Sequence, residues 1–310
     1  VPFGGVQVLL IGDLYQLPPI AKDEEWAVLS RFYNSIHFFE AKALQQSGMV
    51  YLELDKIFRQ QDDTFIRILN NLRDNKSTPE DVRRLNQQFK TLDEIQELMP
   101  CITLTTHNYK ADELNLRELR SLASPSFFYD ANLDREFPES MFPLPPILEL
   151  KVGSRVMFIK NDSSGNGSYF NGKLATVIHL ALDEVQVRMD DQKEDYVLKK
   201  ENWENKRYQL NAETKELEEE VIGTFSQYPI KLAWAVTVHK SQGLTFDKAI
   251  IDAKTSFAHG QTYVALSRCR SLEGIVLMHP IDERSIITDT RALSFNQNVS
   301  DNQPNDTILK

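Results

Sequence analysis

Six residues near the start, Val6-Gln7-Val8-Leu9-Leu10-Ile11, are apolar at all but one position and stop at Gly12-Asp13. A half-exposed strand would alternate polar with apolar. A short continuous run bounded by a turn instead reads as a strand buried on both faces, as in a parallel sheet between helices. Comparable runs recur at residues 102–104, 232–238, 249–251 and 275–278. Between them the pattern turns helical. Phe65, Ile68, Leu69 and Leu72 form an i, i+3, i+4, i+7 stripe on a helix expected to end near Arg73. Thr78-Pro79-Glu80-Asp81 is a helix start, with a hydroxyl N-cap, proline at the first helical position and acids in the first turn. Strands alternating with helices predict an α/β fold with a mostly parallel sheet.

The middle reads differently. Pro138, Pro143, Pro145 and Pro146 punctuate a linker, and β-patterned runs follow at residues 155–159, 173–178 and 185–189. Turns at residues 161–167 and at Asn171-Gly172 separate them, which predicts a small β-barrel inserted into the α/β domain. Residues 296–310 are polar and aperiodic, and a disordered tail is expected there. No internal repeat is found.

With 310 residues, 41% hydrophobic and 26% charged, the chain can bury a sizeable core. No run approaches the ~18 uninterrupted apolar residues of a membrane helix, so no membrane association is expected. Neither a signal peptide nor an initiating methionine opens the sequence, and a fragment is expected. Cys101 and Cys269 lie too far apart for a disulfide framework or a cysteine zinc site, which suits a reducing compartment. The expected location is cytoplasmic, nucleoid-associated in a bacterium, or nuclear or mitochondrial in a eukaryote. The net charge of −10 argues against a nucleic-acid partner. Between Asp183 and Glu220, however, stand 13 acidic and 7 basic residues, so most of the excess sits in one segment. A groove for single-stranded DNA needs only a local positive field.

Gly12-Asp13-Leu14-Tyr15-Gln16-Leu17-Pro18-Pro19 follows the first apolar run. Its polar side chains should emerge at the carboxyl edge of a sheet, where open α/β sheets bind ligands, although glycine, aspartate and prolines also make ordinary loops. Three further segments accompany it: Phe58-Arg59-Gln60, Val238-His239-Lys240-Ser241-Gln242-Gly243-Leu244-Thr245-Phe246-Asp247, and Tyr263-Val264-Ala265-Leu266-Ser267-Arg268-Cys269-Arg270. Together and in this order they resemble motifs III, IV, V and VI of superfamily 1B DNA helicases, the RecD-like branch, and most of all the Pif-type helicases. Trp26, Tyr33, Phe38, Phe39 and Leu52-Glu53-Leu54 agree with the same family, and the resemblance runs to about Pro280.

The resemblance implies a RecA-like parallel-sheet domain carrying an SH3-like β-barrel, with a remnant of a first RecA-like domain ahead of it. Residues 1–43 would be that remnant of domain 1A, 44–147 and 221–295 domain 2A, and 148–220 the inserted 2B domain with an acidic connection. It also implies an ATP-dependent helicase that translocates 5′-to-3′ on single-stranded DNA and unwinds duplexes, with ATP and Mg2+ as cofactors. Single-stranded DNA and duplex junctions would be the partners, in repair or recombination, and the protein would be monomeric. No Walker A motif or acidic pair for magnesium is found. Those would lie upstream of motif III, so the chain is expected to begin partway through the first domain and to be inactive as it stands.

The resemblance assigns Arg59 and Arg268 to the γ-phosphate, where an arginine fork matches phosphate geometry and keeps its charge. Gln16 would sense the γ-phosphate or the attacking water, with Gly12, Asp13, Gln242 and Gly243 along the nucleotide. Arg270, two residues on, would point elsewhere and reads as a surface salt bridge. Thr237, His239, Lys240 and Ser241 would meet DNA phosphates; His239 could equally be a structural histidine. Thr105, His107 and Asn108, at a strand end and a helix start, would make sequence-neutral backbone contacts. Simple N-capping by Thr106 or Asn108 stays open beside that. Gly167 to Leu174 fits the spacing of a phosphate loop, but Leu174 stands where Ser or Thr must reach magnesium, and a strand pattern follows. Asn171-Gly172 is read there as a hairpin turn. Two other functions compete with the motor: a nucleic-acid adaptor that has lost hydrolysis, and a peptide-binding barrel using Phe158, Tyr169 and Phe170.

Overall fold

In the computed structural model, residues 1–300 are described apart from 20, 48, 55, 99–100, 211–216, 253, 255–259, 283–285 and 287–288. The chain divides into two compact units: Val1–Thr106 with the chain from Thr237 onward, and His107–Val236.

Three mostly apolar segments, ITLT, AIID and IVL, make up most of a four-stranded sheet in the first unit. Ile102–Thr105 pairs in parallel with Ala249–Asp252, with Ile102 opposite Ala249, and Ala249–Ile251 pairs in parallel with Ile275–Leu277. Nearly every side chain in them is buried, as expected for strands covered on both faces. The Val238 amide donates to the Thr105 carbonyl at 2.9 Å, which brings the start of the HKSQG segment alongside the end of that strand. Helix Asp63–Arg73 is capped by Asp62, which accepts from the Thr64 amide at 2.8 Å, and its stripe of Phe65, Ile68, Leu69 and Leu72 is buried. Helix Pro79–Asn86 begins in a reciprocal capping box between Thr78 and Asp81, as the TPED signal predicts.

The first apolar run behaves otherwise. Residues 6–11 form no strand, and Val6, Leu9 and Ile11 are 71%, 81% and 89% exposed. A strand needs a partner for its backbone groups, and among the described residues no strand pairs with this segment. The expected tail is also corrected in part. Thr290–Ser300 is a helix, so residues from 296 to 300 are helical; residues 301–310 fall outside the described set. Tertiary contacts hold it where periodicity gave no sign. Phe295 stacks on Phe39 at 4.3 Å, and the Asn296 side chain bonds to the hydroxyls of Tyr15 and Tyr51 at 2.8 and 2.9 Å.

In the second unit an antiparallel five-stranded sheet runs in the order Ile230–Leu232, Arg155–Phe158, Leu174–Ala181, Glu184–Met189, Asp195–Val197. The apolar run at 232–238 is therefore not one strand: its start belongs to this sheet and Ala235–Thr237 is separate. Gly172 takes φ +96°, and its amide donates back to the Phe158 carbonyl, so Asn171-Gly172 is a turn. It ends a longer connection, residues 159–173, instead of joining two strands directly. Phe158 and Tyr169 stack at 4.2 Å inside the core, while Phe170 is exposed, which removes two of three walls from the imagined peptide groove. The acidic segment is a ribbon of Glu201–Leu210 against Leu217–Gln227, in which Lys206 meets Glu219 at 2.8 Å.

Helix Asn108–Ser121 is tied to the strand entering at Ala235 by one buried amide. Asn115 Nδ2 donates to the Ala235 carbonyl and its Oδ1 accepts from the Ala235 amide, both at 2.9 Å. Asn115→Ala leaves both buried backbone groups without these partners, and urea unfolding should show a loss of roughly 2–4 kcal/mol.

Candidate functional site

Local polar chemistry shapes the GDLYQ turn. The Asp13 carboxylate accepts from the Tyr15 amide at 3.0 Å and from Gln16 Nε2 at 2.9 Å, while the Gln16 amide donates to the Asp13 carbonyl at 3.2 Å. Asp13 is therefore a brace for Gln16. Arg73 lies over the Tyr15 ring at 5.2 Å.

Against this turn sits Gly260, the N-cap of helix Gln261–Leu266. Its φ is +72°, and a Cβ there would lie 2.4 Å from the Tyr15 carbonyl oxygen and 3.0 Å from that of Gln16. Only glycine allows both the backbone angle and the approach. The helix leads directly to Arg268.

Arg268 is 1% exposed. Its Nε donates to the Val264 carbonyl at 2.9 Å, one terminal nitrogen to Ser267 Oγ at 2.9 Å, and the other reaches the Leu244 carbonyl at 3.4 Å. Arg59 comes to the same corner from another direction. Its Nε donates to Thr245 Oγ1 at 3.0 Å and a terminal nitrogen to the Ser267 carbonyl at 3.1 Å. The two expected phosphate arginines thus converge on Leu244-Thr245 and Ser267. Burial, and next the charge of Arg59, pull Arg268 down to about 10. Arg59 is lowered too, chiefly by burial. Tyr263, within reach of both charges, is pushed up to about 12 by burial and then by the charge of Asp13. Two like charges in a poorly hydrated corner destabilise each other, and an anion between them reverses that penalty. Gln242 is exposed, and Gly243 has φ +79° with open space where a Cβ would stand, so a ligand can approach its backbone. Gly12 is exposed in the same way.

The residues expected on DNA are less uniform. Thr237 is buried, with its hydroxyl oxygen 3.4 Å from the Lys240 amide that donates to it. His239 is partly buried, and that burial lowers its imidazole from the ordinary histidine value; Lys240 is exposed. Ser241 corrects the expectation: it is 0% exposed and its hydroxyl donates to the Val238 carbonyl at 2.8 Å, so it shapes the turn from inside. Thr105 is buried, with a hydroxyl that finds no hydrogen-bond partner among the described residues. His107 and Asn108 belong to the second unit. There His107 holds the N-cap position, without a side-chain cap bond, and Asn108 is the first helical residue. The His107 ring is tilted on Tyr109 at 5.3 Å, and Asn108 is exposed. Arg270 pairs with Asp247 at 2.9 Å on the surface, as read from the sequence.

No family model matches the sequence. The chain is similar to the ATP-dependent DNA helicase PIF1 of Homo sapiens, 32% identical over 298 residues that cover 95% of this chain and 44% of the relative. It is also similar to the crystal structure of Bacteroides sp Pif1 in complex with ADP-AlF4. The identity there is 39% and the TM-score 0.83, covering 97% of this chain and 68% of that one. The chain belongs to the Pif1 helicase family. Bacteroides Pif1 bound to ssDNA matches at a TM-score of 0.72 with 38% identity, covering 97% of this chain and 68% of that one. The chain spans less than two thirds of the length of the curated Pif1 relatives it matches first.

The residues of this Pif1-family chain fit a nucleotide phosphate, on the evidence of the crowded arginine pair. For magnesium, among the described residues no three potential ligands cluster, and Asp13 is engaged with Tyr15 and Gln16. Sequence reasoning missed Gly260 and the buried Gln60. A glycine just ahead of the motif VI helix, and an amide next to Arg59, were the available signals. Gly260→Ala should lose clearly more stability in urea than Gly243→Ala. Both meet the left-handed penalty of roughly 1–2 kcal/mol, but only Gly260→Ala also strikes the backbone of the GDLYQ turn.

Proposed function

We propose that the full-length protein carrying this chain is an ATP-dependent DNA helicase that moves 5′-to-3′ on single-stranded DNA and unwinds duplexes. The convergence of Arg59 and Arg268 on one corner beside Gly243 carries this reading. Phosphoryl transfer asks a protein mainly for positioning and positive charge, and two guanidinium groups supply both. In the proposed mechanism Arg59 and Arg268 stabilise the negative charge that shifts onto the γ-phosphate oxygens. The Gln16 amide, held by Asp13, reports whether that phosphate is present. Mg2+ would neutralise phosphate charge.

Residues 1–43 are inferred to belong to the first RecA-like domain, and 44–147 with 221–295 to the second. The five-stranded sheet is inferred to be the SH3-like 2B insertion; four of its strands lie within residues 148–220, and its edge strand Ile230–Leu232 extends the insertion past the bound read from the sequence. Lys240, His239 and the backbone around Thr237 are the inferred phosphate contacts to DNA, of the sequence-neutral kind a translocating motor needs. An adaptor without hydrolysis would have no use for two arginines kept together against their mutual repulsion.

The test is ATP hydrolysis by the full-length protein with and without single-stranded DNA. DNA should stimulate it, and Arg59→Ala or Arg268→Ala should each lower the stimulated rate by roughly 10³–10⁵. Arg268→Lys, which keeps charge but loses the fork, should recover only part. Robust DNA-stimulated turnover in Arg268→Ala would overturn the assignment.

A further inference from the structure

One buried polar side chain at this corner has no part in the reading above. Gln60 is 6% exposed, and its Nε2 donates to two carbonyl oxygens, Ser267 at 3.1 Å and Cys269 at 2.9 Å. These residues stand immediately before and after Arg268. The carbonyl of Arg268 itself accepts from the Phe246 amide at 2.9 Å, and the Arg270 amide donates to the Phe246 carbonyl at 3.2 Å. Three successive carbonyls are thus held, the outer two by Gln60 and the middle one by Phe246. Arg59, the next residue to Gln60, adds its own bond to the Ser267 carbonyl.

This clamp answers a physical problem. Arg59 and Arg268 repel one another, and burial strengthens that repulsion. Some neutral contact must keep the two backbones together before any phosphate arrives. A glutamine amide suits the task because it carries two hydrogens on one nitrogen and no charge. A carboxylate there would repel both carbonyls, and an ammonium would add a third cation.

We propose that Gln60 is a positioning residue: by gripping the carbonyls on both sides of Arg268 it sets where the two arginines meet a transferring phosphoryl group. The proposal rests on the reading of Arg59 and Arg268 as the γ-phosphate arginines. Gln60 itself need not touch nucleotide.

The experiment compares Gln60→Ala and the near-isosteric Gln60→Glu with the unaltered full-length protein, in the presence of single-stranded DNA. Two affinities are read, one for ADP and one for ADP with aluminium fluoride, a mimic of the transferring group. Arginines displaced by a fraction of their reach should weaken the mimic by roughly 10–100-fold, while ADP changes by less than about threefold. The turnover number should fall with the mimic's affinity and KM for ATP should stay near its original value. Loss of ADP and mimic alike would mark Gln60 as a mere fold element and overturn the proposal, as would a mimic affinity within about threefold of the original. If the unaltered protein shows no DNA-stimulated hydrolysis, the motor reading itself fails and takes this proposal with it. Hydrolysis by the unaltered protein with an unselective Gln60 effect sinks the positioning role alone.

Discussion

Like charges held side by side are the constraint around which the first unit is arranged. Arg268 loses nearly all its hydration, and Arg59 lies near enough to depress its pKa further. Among the described residues no carboxylate is bonded to either cation; their donors go to the carbonyls of Val264, Leu244 and Ser267 and to the hydroxyls of Thr245 and Ser267. Carbonyls and hydroxyls satisfy hydrogen bonds without cancelling charge. The corner therefore keeps a positive potential for an incoming anion instead of spending it internally.

Keeping that arrangement requires a stiff frame. The parallel strands 102–105, 249–252 and 275–277 are almost wholly buried and deliver their loops to one edge of the sheet. Gly260 then permits the GDLYQ turn to lie directly on the start of the motif VI helix. Gln16 and Arg268 thus sit at the two ends of one short, tightly packed path. A shift in the turn has little slack in which to dissipate before it reaches the helix.

What could be read from the sequence was whatever is decided locally. The TPED start and the stripe on Phe65, Ile68, Leu69 and Leu72 need only nearby residues, and both appear as read. The apolar strands at 102, 249 and 275 were legible because burial on both faces leaves a plain compositional mark. Features set by distant partners were not. Residues 6–11 have strand chemistry and no strand beside them, whereas 290–300 lacks a pattern and is held by Phe39, Tyr15 and Tyr51. The acidic segment concealed a ribbon because its cross-strand pairs, such as Lys206 with Glu219, are far apart in sequence. In the site, motif spacing located both arginines but could not reveal that Ser241 faces inward or that Gln60 grips the backbone around Arg268.

The exposed stretch at residues 6–11 has a practical corollary for anyone handling the chain. Val6, Val8, Leu9, Leu10 and Ile11, exposed and outside any sheet of the described residues, form a template onto which a second molecule can add its own strand. Concentrated preparations in which this stretch stays uncovered will therefore self-associate through it, and a lysine or proline placed among residues 8–10 would blunt the edge without touching the arginine corner.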